Sequence, residues 1–460
     1  MSEHRAWTYE QLRQAVAGGG IALRCRRRLQ PAGGPGDKVF PPTYEGGKYA
    51  FEERTIEGTR VPCVLLDSVQ SQANRMEMAL REAYYEPGAE QTKEPGLPVV
   101  AVDFPGAELP EVGWITSLDA PHRIADAILR DSLLGEVKFR ETDAGRAFTN
   151  AGPANATALL GICPTSLVFG LWDSTGPKGG LGTKIQRALV SEIVGVDAVR
   201  GVKTSSRIDP LGIELNAGPL FRRPDGDWTL DRAEAKKEDG RLVLFAQAKG
   251  GKDVLWDEAK AKGAIPDSGR PSKANHGNVT PTIDVRKDAN GNDVYEEEPI
   301  ALLREGSPVV AYASRKKPAY VGGVTISHAL QTTTISLAAL RRLRFPVDGR
   351  QANDEARAVL AALGLCAATL AQGDADLRSR CLLVPEEPSV WEAIAPDGQV
   401  TEFTLNAETA KALFAEAVAH ATAAGLPWRR EVLALTPSPQ LVELVRRSRE
   451  LKVAAADTEE

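Results

Sequence analysis

The sequence predicts an α+β fold, and three local patterns predict it. In Gly20–Leu29, Ile21, Leu23, Cys25 and Leu29 alternate with Arg24, Arg26 and Arg28, the period of two of a half-buried strand. In Asp67–Ala83, Val69, Ala73, Met76, Leu80 and Ala83 recur at the helical period and form a buried stripe. Asn353–Leu370 and Ala407–Ala424 read as alanine-rich helices. With 460 residues, 42% hydrophobic and 26% charged, the chain suffices for one large domain or two to three ordinary ones around a sizeable core.

The remaining elements follow in order. A Gly/Pro-rich loop, Gln30–Lys38, continues into Pro41–Gly47 after the first strand. Leu97–Phe104 and Val112–Ser117 are predicted strands. Pro121–Leu134 is a predicted helix, with Pro121 suited to its first turn and Arg123, Asp126 and Arg130 on one face. Ser166–Trp172 is an apolar, β-rich run, and a glycine-rich stretch, Gly176–Lys184, leads into a helix from Ile185. From Pro219 to Pro318 the composition turns polar, which reads as an insertion. It holds a strand at Arg241–Ala248 and a hairpin at Asn290-Gly291 between Ile283–Lys287 and Val294–Glu297. Ser327–Leu343 is a predicted helix, with Ile326, Leu330, Leu337 and Leu340 toward the core and His328, Thr332 and Arg342 opposite. The C-terminal third is helical with short strands, and Ser438-Pro439 caps a last helix through Leu451.

The formal net charge of -6 argues against a general nucleic-acid binder, but the charge is unevenly spread. Arg24–Lys38 carries five basic residues (Arg24, Arg26, Arg27, Arg28, Lys38) against Asp37 alone. Ser174–Val190 carries Lys178, Lys184 and Arg187 with no acid, and His328–Arg344 carries Arg341, Arg342 and Arg344 with no acid. Basic stripes on an acidic body allow local polyanion binding. The five cysteines are scattered, with no C-x-x-C, and are expected as buried thiols in a cytoplasmic protein. Met1–Gly20 lacks the apolar core of a signal peptide, and no apolar run is long enough to span a bilayer.

Most chemical motifs fail on inspection. Gly182-Thr183-Lys184 has the wrong order for a phosphate loop, and Ile185 occupies the third glycine position of G-x-G-x-x-G. Asp288–Asp293 lacks the glycine and the bidentate glutamate of a calcium loop. The five histidines show no metal-ligand spacing, so no metal and no cofactor are expected. What remains is a binding surface. The Arg24/Arg26/Arg28 face is either a solvated edge or a single-strand platform, and arginine suits phosphate forks and base stacking. On the helix that follows, Ser68, Ser71, Gln72 and Arg75 share a hydrogen-bonding face with one full charge.

Several ordered segments resemble one family. They are Leu29–Tyr44, Leu65–Met76 with its Asp-Ser-Val-Gln-Ser-Gln-Ala-Asn-Arg block, Ala120–Asp126, Lys273–Asn278, and Gly322–Thr332 running into Leu340–Phe345. They resemble the Csb-type RAMP proteins, the backbone (Cas-seven-type) subunits of type I-G CRISPR systems, formerly I-U. The resemblance implies an RRM-like or ferredoxin-like palm with insertions as fingers and thumb. The palm spans 18–218 and 319–380, the polar insertion 219–318, and a helical C-terminal region 381–460. It implies subunits that stack along a guide RNA (crRNA) in an open filament and leave the bases free to pair with target DNA. Implied partners are copies of the chain itself, a Cas-five/Cas-six-like processing subunit, a large subunit and a helicase-nuclease, with no membrane. The RNA-contacting residues it suggests are Arg24, Arg26, Arg28, Lys38, Ser68, Gln72, Arg75, His122, Arg123, Lys178, Lys184, Asn275, His276, Asn278, Thr332 and Arg342.

No catalytic residue is expected. One rival is a metal-dependent ribonuclease using Asp37, which sits in the loop after the arginine strand, although such hydrolysis needs several convergent ligands. Another is an RNA-binding scaffold unrelated to CRISPR.

Overall fold

The alternation in the first arginine-rich segment is realised as strand β1 (Ala22–Pro31), whose residues Leu23, Cys25, Arg27 and Leu29 face inward. The computed structural model describes residues 6–45, 47–174, 176, 182–207, 211–214, 217–245, 253–257, 265, 269–271, 279–284, 292, 294–302, 311–318 and 322–459. Lys178, Asn275, His276, Asn278 and the Asn290-Gly291 turn lie outside the described residues. The chain divides into two units, Met1–Val199 with Val324–Leu451, and Arg200–Gly323 with Lys452–Glu460.

The first unit is built on an eight-stranded sheet whose neighbours are all antiparallel. Its further strands are β2 (Phe51–Ile56), β3 (Thr59–Asp67), β4 (Leu189–Val196), β5 (His328–Ser336), β6 (Leu383–Pro385), β7 (Trp391–Ile394) and β8 (Val400–Phe403). The order is β2-β3-β4-β5-β1-β7-β8. One edge of β1 pairs with β5 from Ala22↔Ser336 to Leu29↔Ala329. Its other edge is shared by β7, opposite Ala22–Cys25, and β6, opposite Leu29–Pro31. Helix α2 (Val69–Tyr84) lies between β1 and β4 in the chain, and helix α3 (Asn353–Ala371) between β5 and β7. With β2, β3 and β6 set aside, strands β1, β4, β5 and β7 and the two helices follow in β-α-β-β-α-β order, with spatial order β7-β1-β5-β4.

The helices cover the face toward which Leu23 and Cys25 point. They are α1 (Tyr9–Ala17), α2, α3 and α4 (Ala407–Ala423). Helix α3 is central, and every residue from Ala356 to Thr369 is buried. Its small side chains permit close approach. A Cβ on Gly364 would stand 3.1 Å from Ile335 Cδ1 and 3.3 Å from Leu189 Cδ1. Leu360 and Leu363 are fully buried there, and truncating either to alanine costs about 2–5 kcal/mol. A second, five-stranded sheet in this unit sets Leu433–Pro437 parallel to Val100–Asp103 and antiparallel to Ser132–Leu134. The C-terminal region therefore contributes strands to both sheets.

The second unit contains a five-stranded sheet of short strands around Phe221, Ala235, Leu244 and Trp256. It also contains two ribbons, Lys203–Arg207 with Val279–Asp284 and Tyr295–Leu302 with Ala311–Pro318. The two strands expected to pair across Asn290-Gly291 thus each pair with another strand.

Other readings change too. Ser327–Leu343 is not a helix. Its alternating burial makes it strand β5, with only Leu337–Leu340 helical. The apolar spacing mimicked a helical period, while the β-branched run Thr332-Thr333-Thr334 favours a strand. The helix from Ile185 is strand β4, rich in valine and isoleucine. Ser166–Trp172 contains a short helix, Thr165–Phe169, that ends at Gly170 with φ 88. Pro121–Leu134 breaks into a 3-10 turn, a helix at Ala127–Arg130 capped by Asp126, and a strand.

Candidate nucleic-acid interface

Strand alternation puts Arg24, Arg26 and Arg28 on the sheet face away from the helices, as their spacing requires. Each has an acidic partner. Arg24 Nε donates to Glu392 Oε2 at 2.6 Å, and Arg28 Nε to Glu386 Oε2 at 3.0 Å. Arg26 is the most exposed of the three, and its Nη2 lies 3.9 Å from Glu392 Oε1. Glu392 is on β7 and Glu386 follows β6, so both arrive from the C-terminal region. In register, Thr332 stands opposite Arg26, and Glu192 opposite Thr332. Glu192 in turn accepts from Arg54 Nη1 at 2.7 Å. The face is charge-balanced, not a basic platform. His328 Nε2 sits 3.3 Å from Arg28 Nη1, and burial, then the Arg28 charge, lowers its pKa.

On the polar face of α2, Gln72 turns inward, which corrects the expectation for it, while Ser68 and Arg75 are half-buried. Ser68 caps its own helix by accepting from the Ser71 amide at 3.2 Å. Gln72 is buried. It donates to Asp67 at 2.6 Å and accepts from Ser191 Oγ at 3.0 Å and Gln331 Nε2 at 2.8 Å. Arg75 donates to Asp67 at 3.1 Å, and Asp67, fully buried, also meets Arg378 at 3.4 Å. Arg27 Nη1 joins through Gln331 Oε1 at 2.9 Å, and Ser191 through Thr333 at 2.8 Å. This is a polar network between helix and sheet, and its centre, Asp67 and Gln72, is closed to an incoming phosphate.

Arg123 is likewise buried. Its Nε and Nη2 grip both Glu77 oxygens at 2.7 Å, and its guanidinium lies 5.4 Å from the Phe169 ring centroid. Burial pushes the Glu77 carboxyl up to about 7, against the pull of Arg123. His122 stays exposed beside this pair, its amide held by Asp126 at 3.1 Å. In the glycine-rich loop, Asp37 Oδ1 accepts the Lys38 amide at 2.8 Å, and a Cβ on Gly33 would stand 2.2 Å from Asp37 Oδ2. Asp37 thus closes its own turn. Lys38 is half-buried. Among the described residues, no group of three or more His, Cys, Asp or Glu is placed to hold a metal.

The two acid-free stretches of sequence meet at one end of the large sheet. β4 begins and β5 ends there, Leu189 pairs with Ile335, and the Ser336 amide donates to Ala188 O at 2.8 Å. Arg342 donates to Gln186 Oε1. Arg341 reaches Gly20 O, Arg344 reaches the carbonyls of Arg341 and Leu343, and Arg187 Nε donates to Phe169 O at 3.0 Å. Lys184 is exposed with its Nζ 5.3 Å from the Trp172 ring centroid. None of these five cations has a carboxylate within 4.0 Å among the described residues. Carbonyl and amide oxygens orient the guanidinium groups of Arg341, Arg342 and Arg344 without an ion pair, while Arg187 also feels the charge of Glu77. Lys184 and Arg342 were anticipated; Arg187, Arg341 and Arg344 were not, although the absence of acid in both stretches was their signal.

Over residues 23–200, from β1 to the end of β4, the chain matches the family of CRISPR-associated protein GSU0053. It is similar to that CRISPR-associated family across this stretch. A search of curated proteins gave no match. No helix among the described residues is long and apolar enough to cross a membrane.

Proposed function

We propose that the chain is a guide-RNA-binding backbone subunit of a CRISPR surveillance complex of the type I-G class. In this reading the β-α-β-β-α-β sheet is an RRM-like palm, and Lys184, Arg187, Arg341, Arg342 and Arg344 sit on RNA phosphates. The observation that carries the reading is the meeting of two acid-free basic stretches at one end of this sheet. The similarity to a CRISPR-associated family over residues 23–200 supports the biological setting. Copies of the chain stack along one crRNA in a filament, and the bases remain free to pair with target DNA. A processing subunit, a large subunit and a helicase-nuclease complete the cytoplasmic assembly. The chain itself binds and does not cut. Asp37, tied to its own loop, is not a nucleolytic acid in this reading.

The test is to co-express the tagged chain with neighbouring genes and a repeat array, then sequence the RNA that copurifies. Guide RNAs of uniform length with several protein copies per RNA are expected. RNA of random origin would leave a general RNA binder, and no RNA would overturn the reading. Purified protein with Mg²⁺ is expected to leave a guide-paired strand intact. Cleavage that Asp37→Ala abolishes would replace binding by catalysis.

A further inference from the structure

The helical side of the sheet holds a cation that the RNA reading does not use. Arg27, between Arg26 and Arg28 in β1, points to the opposite face and is 7% exposed. Its Nη1 donates to Gln331, but its Nε is sealed from solvent without an acceptor. No carboxylate lies within 4.0 Å of it among the described residues. An arginine keeps its proton in a protein, so this is a buried charge without a counter-ion, a costly arrangement. Burial works against its charged form, opposed only by the neighbouring Cys25 thiol.

Arg27 lines a cleft of about 610 Å³ together with Thr369, Ser389, Asn406, Ala407 and Thr409. Thr369 is 7% exposed, and its hydroxyl has no partner either. Helix α4, 17 residues long, starts in the cleft wall. Asn406 caps it by accepting from the Thr409 amide at 2.8 Å, while the amides of Ala407 and Glu408 have no acceptor among the described residues. Glu408, the acid of that first turn, is exposed and does not line the cleft. Arg27 and Thr369, each with an orphaned buried atom, and a helix N-terminus therefore border one cleft. All three favour an oxyanion.

We propose that this cleft is a phosphate-binding site, with Arg27 as its charged anchor and Thr369 and the start of α4 as its hydrogen-bonding wall. Donors of three kinds suit a tetrahedral anion, and the volume accommodates a nucleotide. The phosphate arrives either free in solution or at the end of an RNA. By strand alternation Arg27 faces away from Arg24, Arg26 and Arg28, and the site does not depend on the RNA reading above.

The test is thermal melting of the full chain in about 10 mM inorganic phosphate against chloride at equal ionic strength, because a ligand that binds only the folded state raises the melting temperature. A second probe compares a short 5′-phosphorylated RNA with its 5′-hydroxyl counterpart. The wild type is expected to melt higher with phosphate or with the phosphorylated RNA. A response to inorganic phosphate identifies the free anion, and a response to the phosphorylated RNA alone identifies an RNA end. Thr369→Val keeps the fold, because its hydroxyl has no protein partner, and is expected to weaken the response several-fold. Arg27→Met, or Arg27→Lys where the former does not fold, is expected to abolish it. No response in the wild type overturns the proposal, and so does a response that Thr369→Val and the Arg27 variant leave unchanged.

Discussion

Two groups of three arginines lie in this molecule, and they differ in what stands beside them. On β1, Arg24 and Arg28 each hold a carboxylate within 3.0 Å, and Arg26 shares one at 3.9 Å. At the sheet's end, Arg341, Arg342 and Arg344 reach only carbonyl and amide oxygens. Basic count along the sequence is the same in both groups. The potential that a polyanion meets is not, because Glu386 and Glu392 cancel one group and nothing cancels the other. Charge patterning within a segment is a poor guide when the neighbouring strand comes from a distant part of the chain. Arg24 and Glu392 are 368 positions apart.

The largest effect separates buried from exposed cations. Arg123→Ala leaves the Glu77 carboxyl buried without its arginine partner and is expected to cost about 3–5 kcal/mol of stability. Denaturant melts read the loss, and RNA affinity per folded molecule is expected to stay unchanged. Lost affinity in a fully folded Arg123→Ala protein would return Arg123 to the interface. Next, reversing Arg341, Arg342 and Arg344 to glutamate is expected to weaken binding of single-stranded RNA on the order of 100-fold, uniformly across sequences. The log–log salt slope should fall by about 3, one per phosphate contact. Fluorescence anisotropy at several salt concentrations measures both. An unchanged slope in a folded variant would sink the acid-free end as the RNA contact.

The elements legible in the sequence were those with one clean period. β1 and α2 lie within two residues of their predicted ends, and α3 and α4 within one. β5 was misread because Ile326, Leu330, Leu337 and Leu340 fall at helical spacing, and the three threonines between them carried the true signal. The polar face of α2 was seen but assigned to the wrong surroundings. Its lack of full charges pointed to an interior network, since a solvated helix face carries more lysine and glutamate. Arg27 was equally visible, as the one charged residue in phase with Leu23, Cys25 and Leu29. The carboxylates that balance the sheet face were not legible at all, because only tertiary pairing brings β6 and β7 to β1.

That pairing can be undone without touching an arginine, which gives the smallest and most diagnostic effect. Glu386→Gln with Glu392→Gln removes two negative charges and keeps the side-chain shapes. Ion pairs at a partly solvated surface contribute about 0–1 kcal/mol, so melting should move little. RNA affinity should rise by about 3–10-fold at low salt, with a steeper salt slope, because Arg24, Arg26 and Arg28 become available to phosphate. The gain should vanish when the three arginines are replaced by alanine in the same background. If the double glutamine variant binds RNA no better than wild type, the face is inert for a reason other than charge. If the alanine replacements alone in the wild type reduce binding as strongly as the reversal at Arg341–Arg344, RNA displaces the carboxylates and the two groups are equivalent after all.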